Sequence, residues 1–261
     1  MGKITKALQK AAEERIHHFD KVIKLKEHEQ IIVRKLKDSN VDARLVTYFD
    51  SKALISEQYK ILTTNLMSLN KGKPPKTIAI TSSIAAEGKS ITALNVAITM
   101  SHATRKPKII LIDADMRKGQ LVKYLGVPEH KGLSEFLKGE AALSDVVFKL
   151  DIDHLSFISS GAIPENPAEL LDSDRMHELL SQLRLEYDFI LIDTPPVIPV
   201  TDAVIIGSKV EGVVMVIQAG RTQRTMVSRS TELLNQAHAK IVGHVLTGIE
   251  YFVPEYIYRY L

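Results

Sequence analysis

Two rhythms of apolar residues divide the chain. Near its start, Ile4, Leu8, Ala11, Ala12 and Ile16 recur every three to four positions with Lys and Glu between them, the spacing of an amphipathic helix. A less regular apolar set runs from Phe19 to Leu36 and stops at the turn-like Asp38-Ser39-Asn40. Residues 51–69 predict another helix, ended by Asn70-Lys71-Gly72-Lys73-Pro74-Pro75, because proline cannot continue the hydrogen-bond ladder. Beyond this break the rhythm changes. Short apolar runs at 77–82, 108–113, 154–159, 189–193, 212–218 and 241–249 predict strands, and helices are expected near 89–104, 133–150, 168–185, 202–209 and 225–237. Strands apolar on both faces and separated by helices imply an α/β fold, a mainly parallel sheet with helices on both faces. On this reading residues 1–50 are an N-terminal helical arm, 51–250 the α/β domain and 251–261 a tail.

Composition narrows the picture. With 261 residues, 45% hydrophobic and 25% charged, the chain has the makings of a full core, which excludes a disordered or collagen-like polymer. It contains no cysteine, so disulfides, thiolate metal sites and thiol nucleophiles are excluded and a reducing cytoplasm is the expected setting. No run approaches the roughly 20 apolar residues that span a bilayer, and the opening MGKITKALQK lacks the apolar centre of a secretion signal. Lys6 stands where an N-terminal acylation signal requires Ser or Thr. The net charge of +3 resides in residues 1–50, which hold 11 Lys+Arg against 8 Asp+Glu, while the remainder balances 23 against 23. So weak a field excludes nucleic acid as the expected partner. The nine histidines show no metal-ligand spacing tied to the strand ends. Tyrosine is uneven: Tyr251, Tyr256, Tyr258 and Tyr260, half of the eight, lie in the last 11 residues.

The candidate chemistry sits at strand ends. The first strand runs into SSIAAEGKSITALNVA, the order strand, loop, Lys-Ser, helix of a phosphate-binding loop. In such a loop, backbone N–H groups and the helix N-terminus surround the phosphates, Lys89 reaches the β- and γ-phosphates, and the Ser90 hydroxyl holds Mg²⁺. The candidate nucleotide-binding residues are therefore Ser83, Ala85, Ala86, Glu87, Gly88, Lys89, Ser90 and Ile91, with Ser83 in the first glycine position of the usual pattern. IILIDADMR ends a second strand with Asp113, Asp115 and Arg117, and FILIDTPP ends a third with Asp193. One aspartate at a strand end is more often a helix cap or loop hydrogen-bond acceptor. Three carboxylates beyond the carboxyl ends of parallel strands can converge on one crevice, and Mg²⁺ is served by oxygen ligands and water.

This ordered set resembles the bacterial tyrosine kinases of exopolysaccharide and capsule systems, which have a P-loop fold of the SIMIBI kind. The resemblance runs from about Glu57 to the C-terminus. SIAAEGKS stands for that family's Walker A, IILIDADMR for its A′ motif and FILIDTPP for its Walker B, while the terminal tyrosines match its autophosphorylation tail. GLSEFLKGE, GAIPENPAELLDS and PVTDAVIIG also look like this family. The resemblance implies transfer of the ATP γ-phosphoryl group to tyrosine, with Lys89, Asp113 and Asp115 catalytic. Ser90, Asp115 and Asp193 would be at the metal, Arg117 near the nucleotide, and Tyr251, Tyr256, Tyr258 and Tyr260 the acceptors. Asp113 would take or orient the tyrosine proton. It further implies ATP and Mg²⁺ as cofactors, phosphorylation between copies of the chain, a transmembrane chain-length-determinant activator and a protein-tyrosine phosphatase. The kinase would lie at the inner face of the membrane through that activator.

The sequence departs from the family in three places, one of them a sparse tail with four tyrosines only. Ala85-Ala86 replaces the frequent Pro-Gly, so the loop must reach its shape without that help. The family's E-x-x-R-x-x-R motif appears as Glu57, Lys60 and Thr63, and Lys is no substitute for a guanidinium fork. Two alternatives are a partitioning-type P-loop ATPase and a nucleotide-binding scaffold without kinase activity. The first resembles proteins with an additional lysine at the position of Ile84.

Overall fold

The computed structural model describes residues 33–34, 36–37, 40–72 and 76–249. The amphipathic segment expected at residues 4–16 and the four terminal tyrosines lie outside the described residues.

The apolar runs pair into one eight-stranded sheet. In chain order the strands are β1 (Val33–Arg34), β2 (Thr77–Ser82), β3 (Ile109–Asp113), β4 (Val147–Leu150), β5 (Leu155–Ile158), β6 (Phe189–Asp193), β7 (Gly212–Gln218) and β8 (Ile241–Thr247). Their spatial order is β1-β4-β5-β3-β6-β2-β7-β8. The β4–β5 pair is antiparallel and every other pair is parallel. The helices are α1 (Val46–Phe49), α2 (Leu54–Gly72), α3 (Lys89–Ser101), α4 (Leu121–Leu125), α5 (Leu133–Lys138), α6 (Leu143–Val146), α7 (Pro167–Asp172), α8 (Asp174–Glu186), α9 (Asp202–Lys209) and α10 (Arg224–Gln236).

Alternate residues of each central strand enter different cores, as the two-residue period of a strand requires. Ile78, Ile80, Ile109, Leu111, Leu191, Val214 and Val216 pack with α2 and α3 residues such as Leu66, Leu94 and Ile98. Ala79, Ile110, Ile112, Ile190, Ile192 and Met215 pack with Leu179, Leu180, Ile206 and Leu234 from α8, α9 and α10. Both faces of the sheet are covered, as expected.

Three local expectations change. The helix foreseen at 133–150 resolves into α5, α6 and β4, because Phe148 and Leu150 are buried while Lys149 between them is exposed, a strand alternation rather than a helical stripe. The helix at 168–185 becomes α7 and α8, parted at Ser173, whose backbone is extended. The packed body also begins before residue 50. Leu36, Val41 and Leu45 join the core around α3, and the Asn95 side chain of α3 makes four hydrogen bonds, three of them to this segment. Its carbonyl oxygen accepts from the Thr47 N–H at 3.1 Å and the Thr47 hydroxyl at 2.9 Å, while its amide donates to the Arg44 carbonyl at 3.0 Å and the Ile91 carbonyl at 2.9 Å.

Candidate nucleotide and phosphoryl-transfer site

The sheet order puts β6 between β2 and β3, so the loops leaving their carboxyl ends are neighbours. Asp113 and Asp193 are paired in register at the ends of β3 and β6. The loops are also stitched together by backbone: the Ala114 N–H donates to the Asp193 carbonyl at 2.8 Å, and the Val197 N–H donates to the Ser82 carbonyl at 2.8 Å.

Gly88 opens α3 with φ of +91°, a left-handed conformation that a side chain would resist. No side chain caps this 13-residue helix, so its first-turn N–H groups remain available to an anion. Lys89 follows and extends its Nζ to 3.1 Å from Asp115 Oδ2 and 3.5 Å from Asp193 Oδ1. The Ser90 hydroxyl donates to Asp193 Oδ2 at 2.6 Å. Lys89, Ser90, Asp115 and Asp193 therefore meet as the sequence predicted.

Asp113 lies one layer deeper. It is fully buried, and its two oxygens accept from the Asp115 N–H at 3.1 Å and the Leu121 N–H at 3.2 Å. Burial, reinforced by the Asp193 charge, pushes its carboxyl up to about 8. Burial likewise raises Asp193, against the pull of Lys89 and the Ser90 hydroxyl. Burial alone would lower Lys89, but Asp193, Asp115 and Asp113 outweigh it and its pKa rises. Lys89 is thus a firmly charged ammonium among three aspartate side chains.

Other expected residues take different places. The Arg117 guanidinium forms a fork on Asp202, Nε to Oδ2 and Nη2 to Oδ1, both 2.9 Å. Asp202 is fully buried at the start of α9, so Arg117 ties the A′ loop to that helix. Glu87 is buried among hydrogen-bond donors from outside its loop. Gln218, Thr222, Thr247 and Asp202 were not selected from the sequence; they lie 85 to 160 residues from the loop residues they hold, beyond any local pattern.

The arrangement fits a magnesium nucleotide. The Ser83 hydroxyl is buried with no hydrogen-bond partner, and the open end of α3 adjoins Lys89. Among the described residues no group of three or more His, Asp or Glu forms a self-sufficient metal cage. Ser90 with one or two carboxylates, completed by phosphate oxygens and water, is the kind of incomplete set that suits Mg²⁺.

Comparison with known proteins agrees with this geometry. The family described as an AAA domain matches residues 75–241. Tyrosine-protein kinase YwqD of Bacillus subtilis (strain 168) is 34% identical over 216 residues, covering 83% of this chain and 90% of that protein. The chain belongs to the bacterial tyrosine-kinase family. Two solved structures resemble this bacterial tyrosine kinase at a TM-score of 0.76. The kinase domain of the Escherichia coli tyrosine kinase ETK is 27% identical and covers 87% of this chain and 94% of its own. The chimerical protein CapA2B2 is 29% identical, with coverage of 87% and 99%. The P-loop fold and nucleotide binding thus belong to this tyrosine kinase as family properties, and no helix among its described residues is long and apolar enough to cross a membrane.

Proposed function

We propose that this kinase transfers the γ-phosphoryl group of ATP, bound with Mg²⁺, to Tyr251, Tyr256, Tyr258 and Tyr260 of another copy of the chain. The observation that carries the proposal is the convergence of Lys89, Ser90, Asp115 and Asp193 within hydrogen-bond reach at the ends of β2, β3 and β6. Phosphoryl transfer is mainly positioning and charge stabilisation. The first-turn N–H groups of α3 bind the phosphates, and Lys89 stabilises the negative charge of the group in flight. Ser90, Asp115 and Asp193 would hold Mg²⁺, which supplies charge neutralisation across the phosphates when bound. Asp113, in its ionised form, accepts the tyrosine proton after exchanging its Leu121 N–H for the hydroxyl; with the carboxyl raised to about 8, that form grows as pH rises toward 8. Arg117 acts on this chemistry through the A′ loop, which its fork on Asp202 holds in place.

A membrane-bound chain-length determinant as activator, a tyrosine phosphatase as antagonist and a place at the cytoplasmic face of the membrane complete the proposal. The similarity to a chimerical CapA2B2 protein supports the partner reading. Incubation with labelled ATP and Mg²⁺ tests the reaction, comparing the intact chain with Lys89→Met and with a chain ending at residue 249. Label confined to the terminal tyrosines and lost in both variants is the expected result. ATP hydrolysis without tyrosine label would instead identify a partitioning-type ATPase.

A further inference from the structure

The side chain of Glu87 is the one charged group of the Walker loop that the phosphoryl chemistry does not use. It is 1% exposed and meets no cation in an ion pair among the described residues. A buried carboxylate in that position is costly unless hydrogen bonds satisfy it. Three do. Glu87 Oε2 accepts from the Ile84 N–H at 2.7 Å, and Oε1 accepts from the Gln218 N–H at 3.3 Å and from the Thr222 hydroxyl. The same outer segment holds the loop once more: Arg221 Nη1 donates to the Ala86 carbonyl at 2.8 Å and to Gln218 Oε1 at 2.9 Å.

The loop needs such a grip. Ala86 has φ of +64°, a left-handed conformation that an L-residue adopts only at a cost, and nothing in Ala85-Ala86 favours a turn as Pro-Gly would. Local sequence therefore does not account for the loop's shape, whereas the Glu87 carboxylate does. It closes the turn from Ile84 to Glu87 on itself and fastens that turn to residues 218–222, at the carboxyl end of β7 and beyond.

We propose that Glu87 is a positioning residue for nucleotide binding: clasped by Thr222 and Gln218, its carboxylate holds the Walker loop in the phosphate-receiving shape. The segment 218–222 thereby belongs to the nucleotide site without supplying a group to the phosphates. The inference rests on the nucleotide-binding reading of the loop.

The test measures Mg-ADP affinity by calorimetry and backbone amide exchange in the nucleotide-free chain for the wild type, Glu87→Gln, Thr222→Val and Thr222→Ser. Thr222 is only half-buried, so its substitution spares the fold even where a change at Glu87 does not. Thr222→Val is expected to weaken Mg-ADP binding about fivefold or more, the scale of one hydrogen bond to a buried charge. Exchange at Ile84 and Gln218 should accelerate alongside. Thr222→Ser, which keeps the hydroxyl, should restore both to within about twofold. In labelled-ATP assays the loss should fall on KM for ATP rather than kcat, which a general weakening of the fold would not produce. Wild-type affinity and exchange in both Thr222→Val and Glu87→Gln would overturn the clamp alone. A wild-type chain that does not bind Mg-ADP would overturn the clamp together with the nucleotide reading beneath it.

Discussion

The Thr247 hydroxyl donates to the Glu87 carbonyl at 2.7 Å. This bond fastens the end of β8, four residues before Tyr251, to the Walker loop. A β-carbon added at Gly88 would stand 3.6 Å from the same threonine, so the two segments are in contact as well as bonded. Mg-ADP should therefore slow amide exchange at Val245 to Thr247, and Thr247→Val should abolish that protection while leaving exchange in β3 and β6 unaltered. Equal protection in the variant would show that the strand does not sense the loop.

Lys89 is 9% exposed and sits between Asp115 and Asp193 at 3.1 and 3.5 Å. A planar guanidinium cannot replace an ammonium at that point without displacing a carboxylate. Lys89→Arg should lower kcat for tyrosine phosphorylation about 100-fold or more, the scale of losing one preorganised donor. Retention of more than a tenth of wild-type kcat would remove Lys89 from the transferring group.

The high pKa of Asp113 carries a stability signature. Its carboxyl titrates near 8 when folded against 3.8 for the free side chain, so the folded state holds a proton that the unfolded state releases. The resulting stabilisation is complete below about pH 4 and fades as pH rises toward 8, with a limiting slope of about 1.4 kcal/mol per pH unit. Asp113→Asn cannot titrate and gives up one amide contact. In nucleotide-free, metal-free protein, urea denaturation should find the variant less stable at pH 5, with the gap closing by pH 8. Parallel pH profiles would contradict the shift.

Arg117 holds a carboxylate that water does not reach. Arg117→Lys keeps the charge but loses the fork, leaving one Asp202 oxygen short of a donor, and should cost about 1–3 kcal/mol of stability. A half-exposed arginine keeps this below the full cost of breaking a buried pair. Thermal unfolding measures it, and tyrosine phosphorylation should fall further than stability alone explains, because the A′ loop loses its anchor on α9. An unchanged melting temperature would make the fork incidental.

Legibility in the sequence followed the range of the forces involved. β2, β3, β6 and β7 were visible because strands buried on both faces are largely apolar, Asp115 and Asp193 because they stand at or just past strand ends, and Lys89 and Ser90 because they open the helix after the loop that leaves β2. β4 was misread because Val147 to Leu150 follows directly on α6, and four residues are too few to separate a strand alternation from a continuing helical stripe. The anchoring of Arg44 and Thr47 was hidden because their partner Asn95 is a polar residue inside a helix, with nothing local to mark it as a buried hub. Glu87 could be placed in the loop, but its role depends on Gln218 and Thr222, more than 130 residues away.

Two buried carboxyls also make the nucleotide-free site a store of protons. Asp113 and Asp193 face each other across β3 and β6, and burial favours the protonated form of each. A divalent cation would favour the deprotonated form, so its arrival with nucleotide would expel protons to the solvent. The heat of binding will consequently depend on which buffer receives them, larger or smaller according to the buffer's own enthalpy of ionisation.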